Sequence, residues 1–326
     1  MGDAADLLNA LAVDAVRVDL AAGALGRSLL IATGADRIRF LNGLVTGTVA
    51  GLAVGGGARS ALLTPKGQVL GEMRIFVRDS DVWIVAPAAA TETLAAALAR
   101  YAIMDDFAVA ARADFKILAV LGPAAAARLA SVGVDLGALP AQAPLSHATA
   151  GELWLVRAHE LGADGFWIAG AASAVDAVAA RLEAAGVPAL PPALADAARV
   201  AALEPLWGAE ITADYFPMEV GLSAAIDYGK GCYLGQEPIV RIRDRGHINW
   251  RLCGLDLETT AEVAPGDALE SDVKPRAGRI TSAARLPDGR GVALALLHTS
   301  VPVGAGVRVK HGESVVPARV RAEAAS

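Results

Sequence analysis

The chain has little cysteine: its 326 residues include only Cys232 and Cys253. Two cysteines cannot build a disulfide framework, and neither has the clustered histidine or cysteine partners of a zinc site. The sequence therefore excludes a disulfide-rich secreted domain, and we expect it to hold no structural metal.

The chain also lacks an excess of positive charge and any long apolar run. Its formal net charge is -6 and its pI is about 5.4, which argues against nucleic-acid binding by bulk electrostatics. No apolar run is long enough to cross a bilayer, and residues 1–6 carry acids where a signal peptide would carry bases. We therefore expect a cytoplasmic protein with no direct nucleic-acid partner and no membrane partner.

Hydrophobic residues, in contrast, make up 54% of the chain, and its length exceeds what a single core usually supports. A strand is predicted at residues 28–33, a helix from about residue 36, and an antiparallel meander over residues 59–86. A helix near residues 91–101 follows, then strands at 115–121, 153–157 and 166–169 with helices between and after them. This strand–strand–helix rhythm is typical of α+β layers of the split βαβ kind.

The last third of the chain has a different pattern. The proline-rich residues 188–192 indicate a break, and residues 193–203 are predicted to be helical. Beyond residue 250, short apolar segments alternate with Gly, Pro and Asp turns, which predicts a small β-barrel or sandwich. We expect a domain boundary near residue 248.

One segment, KGCYLGQE at residues 230–237, combines a cysteine with two glycines and a lysine. Gly231 and Gly235 permit backbone conformations and close approaches that side chains would block. Pro238 suits the first turn of a helix, so Cys232 is predicted just ahead of a helix N-terminus; this position and Lys230 would both favour the thiolate. The alternative is a half-buried thiol in a loop whose glycines serve only the turn.

Four segments together resemble one family. They are GADRIRFLNGLVT at residues 34–46, TPKGQVLGEMRIF at 64–76, ARVAALEPLWGAEI at 198–211, and KGCYLGQE. They are similar to the folate-binding YgfZ group, relatives of the glycine-cleavage T-protein, an aminomethyltransferase. The cysteine motif is the part that distinguishes YgfZ proteins from the aminomethyltransferases.

The resemblance implies an α+β fold with a T-protein-like three-domain arrangement, in which split βαβ-type layers surround a central cavity for tetrahydrofolate and a small β-barrel is C-terminal. It assigns residues 1–248 to the folate-binding region and 249–326 to the barrel. Two α+β subdomains are expected in the first region: a discontinuous one, about 1–50 plus 190–248, and a second at about 51–189.

The same resemblance implies positions for folate contacts. Glu72 stands beside Gly71 where T-proteins carry a pair of aspartates, and Trp167 stands where they carry a pterin-binding glutamate. Arg199 matches an arginine on the helix that faces the folate, and Trp207 matches an aromatic position. Three of these residues also have a structural alternative: a solvated acid for Glu72, an ion pair for Arg199 and core packing for Trp207.

Three functions remain open at this point. The first is a folate-binding accessory protein for assembly or repair of iron–sulfur clusters in client enzymes, including tRNA-modifying enzymes, with Cys232 and Lys230 as the functional groups. The second is a tetrahydrofolate-dependent aminomethyltransferase-like enzyme that uses Glu72. The third is a folate-free scaffold with a vestigial cavity.

Overall fold

Antiparallel strands and a few amphipathic helices form the whole described architecture. The computed structural model describes residues 3–21, 23–140, 143–259 and 261–324. Within these residues the helices are α1 (Ala4–Val13), α2 (Arg37–Leu44), α3 (Thr91–Tyr101), α4 (Ala125–Ser131), α5 (Ala172–Ala184), α6 (Pro192–Ala201) and α7 (Gln236–Arg245).

The strands of the same residues form two open sheets and a barrel. They are β1 (Val16–Asp19), β2 (Arg27–Thr33), β3 (Gly57–Leu63), β4 (Val69–Val77), β5 (Val82–Pro87), β6 (Ala108–Arg112), β7 (Lys116–Leu121), β8 (His147–Ala150), β9 (Leu153–Glu160), β10 (Ala163–Gly170), β11 (Trp250–Leu257), β12 (Ala268–Glu270), β13 (Gly278–Arg285), β14 (Gly291–His298), β15 (Gly306–His311) and β16 (Ser314–Glu323).

The first sheet has the order β3-β4-β5-β2-β6 and the second the order β1-β7-β10-β9-β8. The predicted meander, β3 to β5, and the predicted helix α3 are both confirmed. The sheets divide the chain differently from the predicted subdomains, because β2 pairs with β5 across the expected boundary at residue 50. In addition, the N-terminal β1 pairs with β7 and so belongs to the second sheet.

The two sheets pack face to face through an aromatic core. Trp154 makes edge-to-face contacts with Phe76 and Trp83, with ring centroids 4.8 Å apart in both pairs. Helices α2 and α3 cover the outer face of the first sheet, and α4 and α5 cover that of the second. Each edge-to-face pair contributes about 0.5–1.5 kcal/mol beyond the area it buries, so this core fixes how the sheets face each other.

The C-terminal strands close into a barrel with the order β11-β14-β13-β12-β15-β16, as the short-strand pattern predicted. Helix α6 packs against β13 and β14 and so attaches the barrel to the rest of the molecule. Cys253 lies fully buried on β11, where burial raises the pKa of its thiol to about 11. Among the described residues, no helix is both long enough and apolar enough to span a membrane.

A buried histidine lies at the contact between the sheets. The Nδ1 atom of His147 accepts a hydrogen bond from Trp154 Nε1 at 3.0 Å, and its Nε2 lies 3.0 Å from the carbonyl oxygen of Val77. Since an indole can only donate, Nδ1 carries no proton and Nε2 donates to Val77. Burial lowers the pKa of this imidazole below 6.5, so the folded protein holds His147 neutral.

This arrangement predicts acid sensitivity. As the pH falls below about 6.5, the unfolded chain binds a proton at His147 that the folded chain does not, so the free energy of unfolding decreases. His147→Gln should cost about 1–2 kcal/mol at pH 7.5 and should flatten the dependence of stability on pH between 7 and 5. Chemical denaturation across that range measures both effects. Exposed His247→Gln is the control, and an equally flattened profile there would contradict the assignment.

Candidate functional site

The segment that leads into the cysteine motif is tied to the loop that follows α2. Thr46 Oγ1 donates to the carbonyl of Ala225 at 2.7 Å, and the amide of Asp227 donates to the carbonyl of Thr46 at 3.0 Å. Thr48 Oγ1 donates to the Asp227 carboxylate, and this bond is the main cause of the lowered pKa of Asp227. The segment therefore enters the motif in a fixed position.

Lys230 completes this attachment. Its Nζ donates to the carbonyls of Val45 and Gly47, both at 2.7 Å, and lies 5.5 Å from the ring centroid of Tyr233. Burial lowers the pKa of the amine to about 8, although the charge of Asp227 acts in the opposite direction. The amine hydrogen bonds go to backbone carbonyls, so Lys230 positions the loop that carries the cysteine.

A second attachment holds the other end of residues 230–235, here called the cysteine loop. Gly235 has φ 76°, and a Cβ there would lie 2.4 Å from the carbonyl oxygen of Thr64. Gly67, in the turn between β3 and β4, has φ 83°, and its Cβ would lie 3.1 Å from Pro238 Cβ. The TPKG and GQEP segments therefore pack against each other where only glycine fits.

Gly231 does not have the role expected from the sequence. A Cβ at this position would meet nothing within 4 Å, and its φ lies outside the left-handed range. Of the two glycines in the motif, the close contact therefore requires only Gly235.

Cys232 is exposed between the two attachments, and α7 begins four residues later with Gly235 at its N-cap. The predicted placement just ahead of a helix is confirmed. The next residue, Tyr233, is buried, and burial raises its pKa to about 12. Among the described residues, no group of three or more His, Cys, Asp or Glu side chains is arranged to hold a metal ion, so Cys232 is a single accessible thiol.

A cavity of about 1020 Å³ lies beside residues 224–228, which lead into the cysteine loop. We call it the central cavity. Both sheets and residues 224–228 line it, so its wall includes the chain that runs into the cysteine loop. The lining combines apolar surface with aromatic rings and charges of both signs: Arg59, Arg157, His159, Asp164, Phe166, Asp227 and Tyr228.

The charges in the cavity wall have different environments. The guanidinium of Arg157 lies 5.3 Å from the ring centroid of Phe166, and His159 Nδ1 lies 2.7 Å from Asp164 Oδ1. Arg59 is exposed and forms no ion pair with any described carboxylate. The cavity therefore offers a free cation beside aromatic surface.

The predicted folate residues Glu72 and Trp167 lie outside this lining. The Glu72 carboxylate is ion-paired with Arg27 at 3.0 Å. Trp167 is fully buried, with the Arg74 guanidinium 4.5 Å from its ring centroid. Stacking of a ligand on Trp167, which its aromatic ring would otherwise permit, requires the displacement of Arg74.

These residues belong to a buried charge cluster between the sheets. Arg74 Nη1 lies 2.5 Å from Glu160 Oε1, and Arg27 is 4.0 Å from the same carboxylate. Burial alone would raise the pKa of Glu160, yet the two arginines hold it below its usual value. Nearby Glu204 has a raised pKa because of its own burial and the charge of Glu160.

Arg199 and Trp207 also lie outside the central cavity. Arg199 is buried and forms ion pairs with Glu210 at 3.0 Å and Asp196 at 2.7 Å, which matches the structural alternative considered for it. Trp207 is half-buried and packs beside the apolar cluster that contains Tyr233. The structure thus does not bring the four predicted folate residues together around one cavity.

Several residues of the cavity wall were not predicted from the sequence. Asp227 and Tyr228 directly precede the cysteine motif, and this proximity was a usable signal. Arg59 and Arg157 lie on β3 and β9, and no local pattern distinguishes them from other strand arginines. They line one cavity only through the tertiary arrangement of the two sheets.

Comparisons with known proteins agree with this architecture. A family model described as the GCVT N-terminal domain matches residues 27–230, more than half of the chain. The tRNA-modifying protein YgfZ of Yersinia pseudotuberculosis is 25% identical over 297 residues, which cover 87% of this chain and 86% of that protein. Its counterpart in Yersinia enterocolitica is 26% identical over 304 residues, or 89% and 88% of the two chains.

Among solved structures, the glycine cleavage system aminomethyltransferase T from Bartonella henselae matches with a TM-score of 0.87 at 22% identity. The match covers 98% of this chain and 88% of that one, and at this identity it concerns the fold alone. The T-protein-like architecture and the resemblance to YgfZ proteins, both predicted from the motifs, are confirmed. The chain belongs to the GCVT N-terminal domain family.

Proposed function

We propose that this chain is a cytoplasmic accessory protein that presents Cys232 to client enzymes during assembly or repair of their iron–sulfur clusters. Tetrahydrofolate is the proposed ligand of the central cavity. The observation that carries the proposal is the exposed thiol on a loop attached at both ends. The similarity to proteins named tRNA-modifying protein YgfZ points to tRNA-modifying enzymes as clients.

The thiol is proposed to act on the iron–sulfur cluster of a partner protein and not on a cluster held by this chain alone. A cluster requires about four thiolate or histidine ligands, and the described residues offer one accessible cysteine and no ligand group for a metal. Cys253 is buried on a barrel strand, so it cannot join Cys232 at the surface. Any cluster at Cys232 must therefore take its other ligands from a second chain or from partner thiols, and we propose the client as that partner.

The central cavity fits a folate in size and chemistry. Its volume of about 1020 Å³ is at the upper end of small-molecule sites, which span roughly 300–1,000 Å³. Phe166 and Tyr228 offer rings for a flat heterocycle, Asp227 offers a carboxylate for its N–H groups, and Arg59 offers a cation for the glutamate tail. When bound, tetrahydrofolate supplies a one-carbon carrier.

The enzyme alternative has less support. It requires the carboxylate of Glu72 to meet the folate, but Arg27 holds this carboxylate outside the cavity lining. A displacement of about an ångström can cost on the order of a hundredfold in rate. The geometry therefore favours an accessory role over aminomethyl transfer.

The role of the thiol is tested by genetic complementation. Cys232→Ala should fail to restore the activity of an iron–sulfur-dependent tRNA-modifying enzyme in a strain that lacks this protein. Because Cys232 is exposed, the substitution should change the free energy of unfolding by about 0.5 kcal/mol or less. Cys253→Ala is the matched control: it should cost about 1 kcal/mol and still restore activity. Full rescue by Cys232→Ala would overturn the assignment.

The ligand is tested by calorimetric titration with tetrahydrofolate under reducing conditions. Binding should be saturable, and Arg59→Gln should weaken it about tenfold, since a charge-assisted hydrogen bond contributes roughly 1.5–3 kcal/mol. Exposed Arg100→Gln, on α3 away from the cavity, should bind as the wild type does. Absence of binding would favour the folate-free scaffold. Loss of binding in Glu72→Gln with no effect of Arg59→Gln would move the ligand into the buried charge cluster.

A further inference from the structure

A second cleft, separate from the central cavity, lies where α6 meets the barrel. Its volume is about 460 Å³, and we call it the barrel cleft. Asp196 and Arg199 of α6 line one side, and the turn at Gly208 lines another. Arg279 and Thr281 on β13 line the barrel side. The segment 198–211, singled out in the sequence, thus contributes to this cleft and not to the central cavity.

A β-bulge shapes the barrel side of the cleft. The pairing of β13 with β14 shifts register between Ile280 and Ser282, and Thr281 is the extra residue. Bulges redirect side chains. Here Ser282 Oγ donates to Glu210 Oε1 at 2.6 Å and accepts from Arg199 Nη2 at 2.7 Å. Thr281 lines the cleft beside them.

The hydroxyl of Thr281 is the unusual feature. The residue is only 6% exposed, and its Oγ1 has no hydrogen-bond partner among the described residues. A buried hydroxyl without a partner destabilises the folded state, because it loses its hydrogen bond to water and gains none in return. Because Thr281 also lines the cleft, a ligand oxygen that reaches this hydroxyl from the cleft removes that cost.

Arg199, Asp196 and Arg279 are the charged residues that line the cleft, and their charges do not all have a partner. All three guanidinium nitrogens of Arg199 are used, by Asp196, Glu210 and Ser282. This single cation faces two carboxylates, and the Asp196 side chain remains 41% exposed. Arg279, in contrast, meets no carboxylate in the described part of the chain, and its guanidinium lies 5.7 Å from the ring centroid of Tyr215. The cleft therefore presents one spare negative charge and one spare positive charge.

We propose that the barrel cleft binds a small zwitterion, a free α-amino acid. Its carboxylate lies against Arg279 and the Thr281 hydroxyl, and its ammonium group faces Asp196. This pairing satisfies the buried hydroxyl and both spare charges together. Because α6 attaches the barrel to the sheets, an occupant also strengthens that attachment. The proposal does not depend on the role of Cys232 or on folate.

The first test is thermal unfolding with three matched probes: L-alanine, which carries both charges, acetate, and methylammonium. At equal concentration and ionic strength, L-alanine should raise Tm saturably, and the two single-charge probes should not. No saturable shift with L-alanine, or an equal shift with acetate or methylammonium alone, overturns the proposal.

The second test uses variants on β13. Arg279→Gln should weaken L-alanine binding at least tenfold. The control is Arg276→Gln: Arg276 is exposed, lies just before β13 and does not line the cleft, so its substitution should not weaken binding. Thr281→Val removes the buried hydroxyl, so without ligand it should be as stable as the wild type or more stable, yet it should also lose binding. Unchanged binding in both Arg279→Gln and Thr281→Val contradicts the proposal.

Discussion

Lys230 and Gly235 hold the cysteine loop by two different kinds of contact. The lysine amine binds two backbone carbonyls of the loop after α2, and the glycine lies so close to Thr64 that no side chain fits. One contact is polar and the other is steric. Lys230 lies two residues before Cys232, and Gly235 lies three residues after it. These two attachments, to the loop after α2 and to the turn after β3, hold the cysteine loop at both ends and leave the thiol exposed between them.

The buried charge cluster between the sheets holds two of the residues that the family resemblance linked to folate. Arg74 and Glu160 come from opposite sheets, and loss of either partner would leave an uncompensated buried charge, which typically costs about 3–5 kcal/mol. Glu72 and Trp167 also belong to this cluster. Arg27 forms an ion pair with Glu72, and Arg74 stacks on Trp167. Positions that the family resemblance linked to folate thus serve sheet packing here. The open space lies beside them, at Arg59 and Asp227.

Local pattern was enough to predict much of the fold. The strands around the turn at residues 65–67 and the helix over Thr91–Tyr101 are specified by nearby apolar periodicity and turn residues. The pairing of β1 with β7 was not predictable in this way, because it joins segments about a hundred residues apart. The cysteine loop was found by its motif. The cavity residues Arg59 and Arg157 were missed because only tertiary packing brings them together.

The central claim is that the fixed loop, and not the thiol alone, makes Cys232 functional. Its most direct test compares Gly235→Ala with Gly231→Ala in the complementation assay, with Cys232 intact in both. Gly235→Ala places a Cβ 2.4 Å from the Thr64 carbonyl, whereas Gly231→Ala meets open space. The account predicts that folded Gly235→Ala protein, checked by circular dichroism, fails to restore client activity and that Gly231→Ala restores it. Equal rescue by the two variants would contradict it.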